Sequence, residues 1–497
     1  MKKKILSRVD IPVYILVAIF YFWLAAQIPY THDDWDWGLN IGLTQLFTAN
    51  LNARYAGNFF EVIMTRSELL RILIMGSGYF LLPMALAAAA WQHCKAKGPV
   101  IRLLFFTVAN IFLLSMPRAM WQQTYGWTAG YANFGLSALF MVAVVGKILQ
   151  LFCPAQPRLT AGQASWFDLF ALVLIGQLFI ENISIYIVFV CLFACVVAWI
   201  KEKKVPVAYL LMAAAAVLGL VIVFTSSIYQ ELWTTGKAVS GYRKLFVNSV
   251  SGIWETVGSC LVQAKNLSFR IFEENLTLML GITALLTLVT LLKKNVSKAV
   301  RVVFTSLNSL FFLYFLLNRY WELVGGDGWK FLISTVFFLL MTVEICLVFR
   351  HDRAQKNRLL FTWLSVAGVM LPLLVTSEHG PRMFFTSNAL LILFALQLLG
   401  LALETANKKT LAVSLTAALV VTVLLSGYFG KVYYEIGEAK RERVEYIAQE
   451  VEAGSGVILI PQYPHTEFIW RPNPVNDLRV RYFKEFYGIP METSLYF

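Results

Sequence analysis

The stretch IPYTHDDWDWG, from Ile28 to Gly38, carries Asp33, Asp34 and Asp36 within four residues, directly after an apolar run. Adjacent carboxylates raise one another's pKa, and such a group can bind a cation or take a proton from a substrate hydroxyl. Arg54 is the nearest basic residue downstream, so sequence neighbours leave the three acids without a full set of partners. The ordinary alternative is a solvated exit from the bilayer, with Trp35 and Trp37 as headgroup-level aromatics. A carboxylate held at that depth also suits chemistry on a lipid headgroup.

A second group has complementary chemistry. Arg118, Arg319, Lys330 and Arg382 each stand at the end of an apolar segment opposite the end where basic residues cluster. Arginine grips phosphate through a bidentate fork; each cation alone also reads as a side chain snorkelling to lipid phosphate. Arg382, flanked by Gly380 and Pro381 in SEHGPRMFF, carries the strongest signal. In WQQTYGWTAGYAN, residues Tyr125, Trp127, Tyr131 and Asn133 offer the aromatic faces and amide that a sugar ring requires, or an interfacial belt. Glu181 and Asn182 sit at a hairpin tip, where an acid at membrane depth is costly unless used. His32 and His379 are lone loop histidines.

The elements that must position these residues are membrane spans. The 497 residues are 58% hydrophobic and 14% charged, against about 25% charged in soluble domains. Thirteen spans are expected near 11–28, 69–91, 101–116, 131–152, 167–180, 185–200, 206–226, 276–292, 302–317, 329–349, 360–376, 384–403 and 411–427. The net charge of +13 comes from short basic connections such as KEKK and KKNVSKAVR. Excess Lys and Arg in short loops marks the cytoplasmic side, which puts the N-terminus inside and the C-terminus outside. The first run is too long for a signal peptide and has no small-residue cleavage site, so it is read as a retained span.

The fold expected is therefore an all-α polytopic membrane domain over residues 1–427, followed by a small extracytoplasmic α/β appendage over 428–497. The first outer loop, 29–68, should hold an interfacial helix built on Leu39, Leu43, Leu46, Phe47 and Leu51. A long outer loop spans 227–275. The tail should open with a charged helix and continue into the strand-like run VILIP. Cys260 alone among six cysteines falls outside, so no disulfide framework is implied. No zinc, Walker or dinucleotide-binding pattern occurs in a suitable context.

Taken together, THDDWDWG, NARYAGNFF, WTAGYANFG, FIENIS, GPRMFF and the terminal YFKEFYGIP, in this order along the chain, resemble the GT-C integral-membrane glycosyltransferases. More narrowly they resemble a family of bacterial multi-pass proteins of unknown function related to them. The resemblance implies transfer of a sugar from a polyprenyl-phosphate carrier to a cell-envelope glycan, teichoic acid or lipid, at the outer face of the plasma membrane. It implies that Asp34 or Asp33 is the base or orients the acceptor, with a slight preference for Asp34. Arg382 and Arg118, supported by Arg319 and Lys330, would meet the carrier's phosphate. His32, Asp36, Arg54, Tyr125, Trp127, Tyr131, Asn133, Glu181, Asn182 and His379 would line the substrate site. Some GT-C enzymes hold a divalent metal on first-loop acids, here Asp33, Asp34 and Asp36, and others need none. Three competing readings are a flippase or transporter for lipid-linked sugars, an envelope polysaccharide polymerase or ligase, and a non-catalytic assembly partner.

Overall fold

The computed structural model of the chain describes residues 10–48, 51–152, 166–235, 253–322, 324–376 and 379–497. The basic residues before Asp10, Cys153, and Lys237, Arg243 and Lys244 of the long loop lie outside the described residues.

Each of the thirteen expected spans falls on a helix, and the protein is an all-α, membrane-spanning chain in its main body. Among the described residues, ten helices are long and apolar enough to cross a bilayer. The other three differ for a reason of length. Pro99–Leu114 and Trp166–Gln177 have 16 and 12 residues, about 24 and 18 Å at the helical rise, short of about 30 Å of hydrocarbon. Leu276–Leu292 joins Ile253–Glu273 at a sharp bend.

Polar contacts separate into two sets at opposite ends of the bundle. At one end lie Arg54 with Glu181, Arg382 with Gln123, Arg71 with the Ile28 carbonyl, and Asn182 with the Val369 carbonyl. At the other lie Lys95 with Glu404, Gln92 with the Gly146 carbonyl, Lys293 with Gln355, and Lys201 with the Leu151 carbonyl. The loops expected outside thus meet one another, as do the basic connections. The span Pro381–Thr405 is almost wholly enclosed by its neighbours and forms the centre of the bundle.

In the first loop, Asn40–Thr48 is helical with Leu43 and Phe47 exposed, as an interfacial helix requires. Trp35 and Trp37, in contrast, are buried inside protein rather than set in an interfacial belt. Trp35 packs edge-on against Phe483 at 5.1 Å and donates to the Tyr30 carbonyl at 3.2 Å.

The partner face for Trp35 is the tail. The last span does not stop at the bilayer: Lys408–Glu452 is one 45-residue helix, about 68 Å long, so its second half projects beyond the hydrocarbon. After it, Val457–Leu459 pairs in parallel with Ser494–Tyr496, Val457 opposite Ser494, and the helix Asp477–Tyr487 lies between them in sequence. The expected α/β tail is present, with a second strand that the sequence did not announce. Its core of Ile447, Ile458, Ile460, Phe483 and Ile489 closes over Trp35. The tail is therefore bound into the first loop rather than appended to the bundle. At Gly126 a Cβ would stand 1.8 Å from the Phe468 carbonyl, so only glycine lets the tail approach this closely.

Candidate functional site

The loop that carries the acids is locked before any of them can act. Asp34 is fully buried, and its Oδ2 accepts the Thr31 backbone N–H at 2.8 Å. Its Oδ1 accepts the Ala129 backbone N–H at 2.9 Å. Asp34 thereby ties the loop to the start of the span Thr128–Phe152, whose first turns include a π-helical stretch, Tyr131–Gly135. Burial, and then the charge of Asp33, push its carboxyl up to about 8 against the pull of the two backbone donors. The slight preference for Asp34 as the reacting acid does not suit this geometry, because both oxygens are spent on backbone and none is open.

Asp33 has the open geometry, with its side chain 28% exposed. His32 Nδ1 and Arg479 Nη2 both converge on its Oδ1, the former at 2.5 Å. Burial alone would raise Asp33; the contact and charge of His32, with Arg479 and Arg382, outweigh it and hold the carboxyl down to about 2. His32 Nε2 lies 3.1 Å from Arg471 Nη1 on its other side, so the ring bridges Asp33 of the first loop and Arg471 of the tail. His32 and Arg471 both have left-handed backbone, φ +50° and +42°, strain of the kind that collects at working sites.

Asp36 is buried and receives Arg479 Nη1 on its Oδ1. One guanidinium thus serves two carboxylates. Burial and the charge of Asp33 push Asp36 up to about 7, while Arg479 pulls the other way. Neighbouring acids with pKa values driven far apart are the usual mark of divided roles.

Two further arginines face the same region. Arg382, at the start of the central span, lies 5.6 Å from the ring centres of Trp127 and Phe134 and donates to Gln123 Oε1 at 3.4 Å. Arg54 approaches Phe134 to 5.7 Å and pairs with Glu181 at 3.5 Å. Trp127, Trp470 and His32 form an aromatic group with centroids 6.0–6.3 Å apart. Asn133 donates to Glu61 Oε2 at 3.3 Å and to the Ala129 carbonyl at 3.1 Å.

Of the residues read from sequence, His32, Asp33, Asp34, Asp36, Arg54, Trp127, Asn133, Glu181 and Arg382 gather here. Tyr125 and Tyr131 do not line it. They are buried against Tyr79, at 4.3 and 4.6 Å, in an aromatic core where their rings pack rather than bind. Asn182 donates to the Val369 carbonyl at 3.1 Å in the first turn of its helix, a structural bond. Arg118 is exposed, with its guanidinium 5.7 Å from the Phe468 ring of the tail. Arg319 and Lys330 act on Glu274 and Glu273 instead, near Arg270, which donates to the His379 carbonyl at 3.3 Å.

Sequence reasoning missed Glu61, Trp470, Arg471 and Arg479. Glu61 had a faint signal as the one acid in the helix Tyr55–Arg66. The three tail residues had none, because their partners lie more than 300 positions away. Among the described residues, no three His, Cys, Asp or Glu side chains gather as a metal ion would require. Arg479 itself stands between Asp33 and Asp36, where a divalent ion shared by those acids would have to be.

The arrangement brings an ionised, partly open carboxylate beside guanidinium groups and indole faces at one end of a membrane bundle. It can orient a hydroxyl, neutralise a phosphate and stack a sugar ring. No family model, curated protein or solved structure matches this chain.

Proposed function

We propose that the protein is a membrane glycosyltransferase that moves a sugar from a polyprenyl-phosphate carrier to a cell-envelope glycan, teichoic acid or lipid. In this reading the bundle has a GT-C-like architecture of about thirteen membrane segments with its N-terminus inside. The end that holds Asp33 then faces the outside of a bacterial cell membrane, and the basic connections face the cytoplasm.

The observation that carries the reading is the placing of Asp33 and Arg382 together at one end of the bundle, close enough for the arginine's charge to act on the carboxyl. A carrier lipid cannot leave the membrane, so its phosphate and sugar are presented at a fixed depth. Arg382, with Arg54 across Phe134, supplies positive charge for the leaving phosphate. Asp33 orients the acceptor hydroxyl through its uncommitted oxygen. As the acceptor oxygen bonds to the anomeric carbon, the bond from that carbon to the phosphate oxygen breaks. The attacking oxygen becomes strongly acidic at that point, so even a carboxylate held near 2 can take its proton. Removing such a positioned base typically costs about 10²–10⁴ in rate. The first-loop acids do not fit a divalent metal, since Arg479 takes its place, and no step is routed through one.

The test is loss of the protein from its own cell. One sugar should disappear from the envelope glycan while its lipid-linked donor accumulates on the outer leaflet. A transporter of lipid-linked sugars would leave the donor on the inner leaflet, and a polymerase would leave short glycan units of unchanged sugar composition.

A further inference from the structure

The carboxyl of Glu61 is enclosed in protein, and its Oε1 has no hydrogen-bond partner. Asn133, also buried, spends its amide N–H groups on Glu61 Oε2 and the Ala129 carbonyl, which fixes the orientation of the amide and leaves Oδ1 without a donor. That oxygen points at Gly57, where a Cβ would stand 2.1 Å away. Thr128 Oγ1 and Trp127 Nε1 are buried and unpartnered too. More than nine in ten buried polar groups in folded proteins are satisfied, and an unmet buried group costs about 1–3 kcal/mol. Several such atoms on one short run, Trp127 to Asn133, and on the helix facing it call for an external partner.

The atoms define that partner's chemistry. Asn133 Oδ1 accepts and Trp127 Nε1 donates, while Thr128 Oγ1 and the carboxyl of Glu61, which burial and then the charges of Asp33, Asp34 and Asp36 push well above its ordinary range, can do either. A molecule with several hydroxyl groups meets all of these, since each hydroxyl donates and accepts. We propose that Glu61 and Asn133 form a subsite that binds the transferred sugar through two of its hydroxyl groups. The inference rests on the transferase reading above and adds the sugar's binding site to it. Glu61 is a specificity-determining residue in this scheme, and Trp127 supplies the adjoining indole face.

The experiment measures binding to the full-length protein in lipid nanodiscs. The probes are bare polyprenyl phosphate and the same carrier bearing glucose, mannose, galactose or glucuronic acid. Wild-type protein should bind at least one sugar-bearing carrier about tenfold more tightly than the bare carrier, the size of one net hydrogen bond. Glu61→Gln and Asn133→Ala should bring that ratio close to one while leaving bare-carrier affinity unchanged, which also reports that each variant is folded. A ratio that survives both substitutions overturns the subsite, as does a wild type that binds no sugar-bearing carrier more tightly than the bare one. Failure of the wild type to bind even bare polyprenyl phosphate overturns the transferase reading itself.

Discussion

Arg479 and Asp36 stand 443 residues apart in sequence, yet the guanidinium of one donates to the carboxylate of the other, with its second nitrogen on Asp33. The tail is thereby part of the candidate site. The first-loop acids, which look unpaired along the chain, receive their cation from its far end.

Breaking that clamp should loosen the tail. Arg479→Gln leaves two carboxylates sharing a largely buried position without a cation. The expected loss is about 2–3 kcal/mol, below the full cost of breaking a buried pair because Arg479 is partly solvent-exposed. Arg479→Lys should recover only part, since an ammonium cannot bridge both acids. Thermal unfolding in detergent, with limited proteolysis after Glu452, measures this. An unchanged Tm and an uncleaved tail would contradict it.

Asp34 should behave as a structural residue. Asp34→Asn presents an amide N–H₂ to one of two backbone donors, so one bond is lost and a buried N–H is left unmet, at about 1–3 kcal/mol. The variant should therefore melt earlier than wild type, and slower sugar transfer should track the fraction unfolded. Full stability with abolished transfer would return Asp34 to a direct chemical role.

The sign of the pH dependence follows from burial. Asp34 and Asp36 are raised from 3.8 to about 8 and about 7, by desolvation first and the charge of Asp33 second. A carboxyl raised on folding contributes stability that is full below its unfolded value, near 4, and is lost as pH climbs through the folded value. Asp33, lowered to about 2, contributes above about 4 and loses that only as pH falls toward 2. Between pH 5 and 8 the Tm should fall with rising pH, and Asp36→Asn should flatten the part of that fall below about 7. A wild-type Tm that rises above pH 7 would contradict the assignment.

The arginines should divide into two classes. Arg382→Ala should raise the KM for a polyprenyl-phosphate donor about tenfold or more, the loss of a charge-assisted phosphate contact. Arg319→Ala and Lys330→Ala, beside Glu274 and Glu273, should leave it within about twofold. Equal effects from all three would mean that positive charge at this end of the bundle acts only collectively.

The spans were legible because hydropathy over a window of about 20 residues is a local property, and each expected span does coincide with a helix. The first-loop acids, Arg54, Trp127, Asn133 and Arg382 were legible because acid, amide or arginine beside a membrane exit is chemically conspicuous. Three things were not. The burial of Trp35 depends on a tail surface that has no signal near position 35. The pairing of Asp33 and Asp36 depends on Arg479, which reads along the chain as one charge in an ordinary amphipathic helix. The packing of Tyr125 and Tyr131 into a core depends on Tyr79 from another span, so their ring chemistry suited binding while their position did not. In each case the missing information was a long-range contact.

The most direct test replaces Asp33 by Asn in cells that lack the chromosomal copy, with envelope-glycan sugar composition read at matched protein levels. Asn keeps the shape of the side chain and removes the charge that holds and deprotonates the acceptor hydroxyl. The predicted result is a protein that inserts and accumulates normally, a glycan missing the same sugar as in cells without the protein, and a build-up of the lipid-linked donor. A glycan indistinguishable from wild type, in a background where loss of the protein alters it, would contradict a reaction centred on Asp33.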